Sequence, residues 1–310
     1  MRQKLVVPAM VAGLLLLAGC DIDDINFNGE RYSRDFHYSF PLKANGRLTV
    51  ESFNGSIEIS AWDQDSVDIS GTKYASTQER ADDLKIETAN TPDSVSVRAI
   101  RPSERRNNMG ARFVIKIPRS TLLDRITTSN APIRTMDGAG PARLRTSNGS
   151  IRVQDLRGSV DAQTSNASVD LIDVEGDVIA HSSNGHIHAE GLRGGFDAST
   201  SNSSVKAEIS RLSRSVRVET SNGGVELTLP ADLAGDVRVN TSNSGITVRL
   251  PSSTNARILA RTSNASISSD FDLKVRGEIG KNHMDGAIGS GGGPLIDLAT
   301  SNGGIHLMKM

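Results

Sequence analysis

The chain has 310 residues, a net charge of −1, a single cysteine (Cys20) and only 4% aromatic residues. Balanced charge and scarce rings exclude a basic, base-stacking surface, so nucleic acid is not an expected partner. One cysteine excludes an internal disulfide and a cysteine-based metal site.

In chain order, the first segment is an export signal. Arg2 and Lys4 give a positive start, and Leu5 to Leu17 is an apolar run of 13 residues, short for a bilayer span. Leu17-Ala18-Gly19-Cys20 resembles the lipobox of bacterial lipoproteins. That resemblance implies cleavage after Gly19, a diacylglycerol on the Cys20 thiol and an acylated new amino terminus, which together anchor stably. The expected location is the cell envelope, lipid-anchored and facing the periplasm. Asp21 resembles the inner-membrane retention residue of enterobacterial lipoproteins. Residues 20–37 read as the lipidated terminus and an acidic tether.

Residues 38–310 read as one all-β domain. Arg47 to Glu51 and Ser56 to Ile59 alternate apolar and polar residues, as a half-buried strand does. Residues 72–118 form an irregular cap. Ala75 to Leu84 carries helix formers behind Ser76 or Thr77 as N-cap, so a short helix is expected there. Strands are expected at Lys85 to Thr88, Ser94 to Ile100 and Phe113 to Ile117. A basic loop with Arg101, Arg105, Arg106 and Arg112 joins the last two and could meet anionic headgroups or a polyanionic glycan.

Residues 119–275 are a regular array built on the motif T-S-N-G-x-[IV]. Its asparagines are Asn130, Asn148, Asn166, Asn184, Asn202, Asn222, Asn243, Asn264 and Asn302, at spacings of 18, 18, 18, 18, 20, 21, 21 and 38. Asn54 is an early outlier, and Lys281-Asn282-His283 is a degraded copy. A β-branched residue follows each array asparagine by three positions, polar and apolar residues alternate beyond it, and no helix separates the units. A period near 20 with period-two alternation predicts a parallel β-solenoid, a right-handed β-helix with coils of about 18–21 residues. About a dozen coils at ~4.8 Å each give a rod of roughly 55 to 65 Å. Continued alternation puts Thr and Asn inward and Ser outward, with the asparagines stacked as an amide ladder. Early coils turn again at Gly140, Gly158, Gly176 and Gly194, and later ones at Leu229-Pro230 and Leu250-Pro251. Residues 276–310 hold a Gly-rich loop, Gly286 to Gly293, before the last motif. It lacks the Lys-Ser/Thr of a phosphate loop, and no cofactor is expected.

The lipobox, the helix-bearing N-terminal section, the tandem array and the Gly-rich loop before a last motif together resemble the bacterial "putative adhesin" family of envelope β-solenoids. The resemblance spans roughly residues 40–310, and no catalytic residue comes with it. It implies a non-catalytic structural or binding role, with a glycan or an envelope protein as partner. Two other readings stand beside it: an enzyme on envelope polysaccharide, or an accessory sensor of an envelope signalling system.

Two side-chain sets could carry chemistry. His186 and His188, with Asp170 one coil away, could hold zinc or copper, although Arg152 and Lys206 share the column. Asp137, Asp155 and Asp173 stand 18 apart and should stack near ~5 Å. Such a column suits a turn role first, then calcium, then a retaining glycosidase. No Gly-x-Ser-x-Gly elbow supports a serine triad.

Overall fold

The computed structural model describes residues 32–102 and 108–310. They form an all-β, solenoid-like stack of parallel strands, with one short helix, Gln78–Asp83. Thr77 caps that helix, its hydroxyl accepting from the Arg80 amide at 3.4 Å.

Each level contributes a strand after the motif and a strand before it. Sequence alternation decides which side chains go inside. In Ile151–Arg157 the burial alternates, with Ile151 and Val153 fully buried, and in Val160–Gln163 the buried pair is Val160 and Ala162. The narrow interior between these rows needs only β-branched residues, Leu and Ala, which is why so few aromatics suffice. Phe113 and Phe196 are the only fully buried rings among the described residues.

The stacking order differs from the chain order at both ends. After the motif, the levels run Phe113, Ile57, Ile133, Ile151, Val169, Ile187, Val205, Val225, Ile246, Ile305, Ile267. Before the motif, Arg47–Glu51 lies between Ser94–Ile100 and Leu122–Thr127, and Leu295–Thr300 lies between Val237–Asn240 and Ala256–Thr262. The first coil is therefore wedged beneath the second, and the last beneath the one before it. This corrects a simple sequential stack. The level of Asn54, an outlier in the sequence, thus lies inside the stack, and Asn302, a distant last copy, is an inner member of the asparagine column.

Antiparallel strands cover the ends. Tyr32–Pro41 pairs with Ser66–Ala75, which pairs with Met109–Pro118. Lys85–Thr91 pairs with Ser94–Ile100. At the other end His283–Ile288 pairs antiparallel with Ala256–Thr262. Such strands block continued parallel pairing with another chain. Three expectations change here. Residues 32–37, read as tether, are strand. Ser94–Ile100 and Met109–Pro118, expected as strands within an irregular cap, are strands and form a full parallel level. Gly286, read as loop, lies within His283–Ile288.

The residue after each asparagine sets the closeness of packing. Along the axis this position, with Ala111 placed by register beside Gly55, reads Ala111, Gly55, Ala131, Gly149, Ala167, Gly185, Ser203, Gly223, Ser244, Gly303, Ala265. Glycine alternates with Ala or Ser without a break. A Cβ on Gly149 would lie 1.8 Å from the Ala131 carbonyl oxygen, on Gly185 1.7 Å from that of Ala167, and on Gly223 1.7 Å from that of Ser203. Two kinds of corner thus alternate, and the glycine kind has no room for a side chain.

Candidate functional site: the polar ridge and groove

The asparagines form a continuous ladder. Asn130 Nδ2 donates to Asn54 Oδ1 at 2.6 Å, and Asn148 to Asn130, Asn166 to Asn148, Asn184 to Asn166 and Asn202 to Asn184, each at 2.7 Å. Asn222, Asn243 and Asn302 continue it at 2.8 Å, and Asn264 closes on Asn302 at 2.7 Å. At the head, Asn54 Nδ2 donates to the Met109 carbonyl at 3.0 Å. A carbonyl can only accept, so the Asn54 amide must present its NH₂ there. Every amide below is then oriented the same way.

Apart from the half-buried Asn54, these asparagines are exposed, which corrects the inward orientation expected from alternation. The reason is local: Ser, Asn and the next residue form a bend, and strand periodicity stops there. Only the threonine goes inside. Thr146 is 7% exposed and Thr164 is 4% exposed. The Thr164 hydroxyl donates to the Gly149 carbonyl of the level before at 2.9 Å, and Thr146 Oγ1 accepts from the Gly149 amide at 3.2 Å. The buried polar group is therefore satisfied within the corner. Thr128, at the junction with the first motif, is the exception among the motif threonines, its buried Oγ1 having no partner among the described residues.

Beside the ladder runs an open groove of about 440 Å³ lined by hydroxyl, amide, carboxylate and imidazole side chains. One wall is the register column His181, Ser199, Glu219 and Asn240. The other is the motif serines Ser201, Ser221 and Ser242. His181 Nδ1 and Ser199 Oγ are 2.6 Å apart, and Arg217 holds Glu219 at 2.7 Å. The three motif serine hydroxyls are exposed and have no hydrogen-bond partner among the described residues. From Asn148 onward each ladder amide also keeps a second N–H for an outside acceptor, whereas that of Asn130 also reaches the Phe53 carbonyl at 3.5 Å.

The other candidates are placed as follows. Asp170 and His188 are register partners. His186 lies in the turn ahead of Ile187–Thr200, 3.8 Å from Asp170, while His188 lies 4.0 Å from Glu190. The two rings face different acids, and no group of three metal-ligating side chains converges among the described residues. Asp137, Asp155 and Asp173 take left-handed φ values of 61°, 52° and 51°, and the next level has Gly191 at 68°. Asp is one of the few residues that visits this region, so the column has a backbone role at a sharp corner. A Cβ on Gly191 would lie 2.4 Å from the Asp173 carboxylate, which explains the change to glycine there. These corners line a groove of about 590 Å³ with Arg119, Arg157 and Arg193, so acids and cations are interleaved.

Of the basic cap residues, Arg101 lies over the Phe53 ring at 5.2 Å and Arg112 over Tyr74 at 4.8 Å. Arg105 and Arg106 lie outside the described residues, as do Cys20 and Asp21. Arg119 bonds Asp63 at 2.7 Å, and that hydrogen bond and charge hold the Asp63 carboxyl below the usual carboxylate range.

No family model matches the chain, and no curated protein matches it. Among solved structures it is similar to a "putative cell adhesion protein" from Clostridium sporogenes, at 12% identity, covering 89% of this chain and 100% of that one, with a TM-score of 0.28. It is also similar to a "putative adhesin" from Bacteroides fragilis, at 14% identity, covering 89% of this chain and 97% of that one, with a TM-score of 0.34.

Proposed function

We propose that the protein is a lipid-anchored cell-envelope protein whose residues 38–310 form a single right-handed solenoid with a non-catalytic, adhesin-like binding role. Cys20 carries the lipid, the residues after it form the tether, and the solenoid faces the periplasm. The observation that carries this reading is the ridge of aligned asparagine amides flanked by unpartnered serine hydroxyls. A rigid stack that repeats the same outward groups at each level is how solenoids build extended binding surfaces. The lipobox at the end of the apolar run supports the anchor. Enrichment of partners from envelope extract on the immobilised protein, read by mass spectrometry, tests the binding role. A clean negative against both envelope proteins and glycans removes it. Labelling with a fatty-acid probe that is lost in Cys20→Ser tests the anchor separately, and unchanged labelling in that variant refutes it.

A further inference from the structure

We propose that the groove beside the asparagine ladder binds an uncharged, extended polysaccharide lying parallel to the stack axis; this deepens the binding role above and rests on it. Three observations converge. The first is chemical. The lining consists of hydroxyl, amide, imidazole and carboxylate groups, and the Ser201, Ser221 and Ser242 hydroxyls have no partner among the described residues. A sugar chain presents hydroxyl donors and acceptors along its whole edge and can satisfy such a row. A peptide fits poorly. The groove offers no apolar pocket, and its strands are paired on both sides, so no backbone edge is open for strand addition.

The second observation is electrostatic. Glu219 is the one acidic group in the lining, and Arg217 already holds it. The remaining groups are hydroxyls, an amide and one histidine, so the groove has no cluster of cations to recognise a polyanion.

The third is periodic. Levels repeat every ~4.8 Å, so the four levels of the groove span roughly 14 Å. The lining serines Ser201, Ser221 and Ser242 lie on three consecutive levels, one hydroxyl per level in a straight row along the axis. An extended sugar chain can follow such a row, and a coiled one leaves it.

The test uses cellohexaose and chitohexaose as probes, with maltohexaose as the coiled control, titrated calorimetrically into the protein. Binding of an extended hexasaccharide, at least tenfold weaker or absent for maltohexaose, is expected. Ser221→Arg, which puts a long cation into the groove from an exposed position, should weaken that binding at least tenfold with the circular dichroism spectrum unchanged. Lys206→Ser, on the strand that follows the motif and outside the groove, should leave it unaltered. No binding of either extended probe, equal binding of maltohexaose, or full binding by a folded Ser221→Arg overturns the assignment. If both extended probes fail while the envelope enrichment still returns a partner, the glycan is wrong and the binding role stands. If the enrichment is empty as well, both fall.

Discussion

Gly149 gives the sharpest test of how the levels pack. In Gly149→Ala the new Cβ would sit 1.8 Å from the Ala131 carbonyl oxygen, where contacts under 3.0 Å essentially never occur. The two levels must part locally by at least 1.2 Å, the difference of those distances. The obstacle is backbone, so no side-chain rotation relieves it. Three of the bonds that cross that junction lie close to the clash: Thr146 Oγ1 to the Ala131 carbonyl at 3.2 Å, the Asn148 backbone amide to the Ser129 carbonyl at 2.9 Å, and the ladder bond to Asn130 at 2.7 Å. At ~1 kcal/mol each, losing two or three costs about 2–3 kcal/mol, which is also the range for overpacking a core. Ala167→Gly, one level on, removes a side chain from the roomy kind of corner and should cost no more than about 1 kcal/mol. Urea unfolding read by circular dichroism measures both, as a shift of midpoint at constant slope. A Gly149→Ala protein as stable as the parent, or an Ala167→Gly protein that is the weaker of the two, refutes the alternation of corner types.

Other consequences can be checked alongside. Asn166→Ala breaks a ladder bond on each side and should cost about 1–2 kcal/mol, against about half that for Asn264→Ala at the tail, with chemical denaturation as readout. Thr164→Val keeps the shape but strands the Gly149 carbonyl, so a loss of about 1–3 kcal/mol is expected while Thr164→Ser stays near the parent. Asp155→Gly should match or exceed parental stability because it relieves a left-handed φ, whereas Asp155→Ala should lose about 1–2 kcal/mol; the opposite ranking would take the column out of its backbone role. The depressed Asp63 pKa means its pairing with Arg119 contributes above the unfolded value near ~3.9 and is lost as pH falls through the lower folded value. An NMR titration of Asp63 should therefore move its midpoint upward in Arg119→Ala, and an unmoved midpoint would dissociate the pair from the shift.

Much of the stack was legible because its causes are local. Period-two alternation put Ile151, Val153, Val160 and Ala162 inside, and the constant interval predicted which asparagines would meet. The outward turn of those asparagines was not legible, since alternation cannot be extended through a bend that interrupts the strand. The interchanged ends were missed because motif spacing orders coils by sequence. A weaker signal was present. In chain order Ala111 precedes Ala131, and Ser244 precedes Ala265, so the glycine alternation fails twice. Placing Gly55 within the first pair and Gly303 within the second restores it throughout. The groove was half visible: the serine column stood out by repetition, but His181, Ser199, Glu219 and Asn240 share no residue type and are united only by register.

The interchange also decides how the molecule can come apart. A sequential solenoid frays from either terminus, each coil peeling once its outer neighbour has gone. Here a pull on the amino-terminal side can strip Tyr32–Pro41 from its antiparallel partner, but the next segment, Arg47–Trp62, is held on both faces. The same holds for Leu295–Lys309 at the other terminus. Under tension or proteolysis, unravelling therefore stalls at the second step, because the ends of the chain are not the ends of the stack.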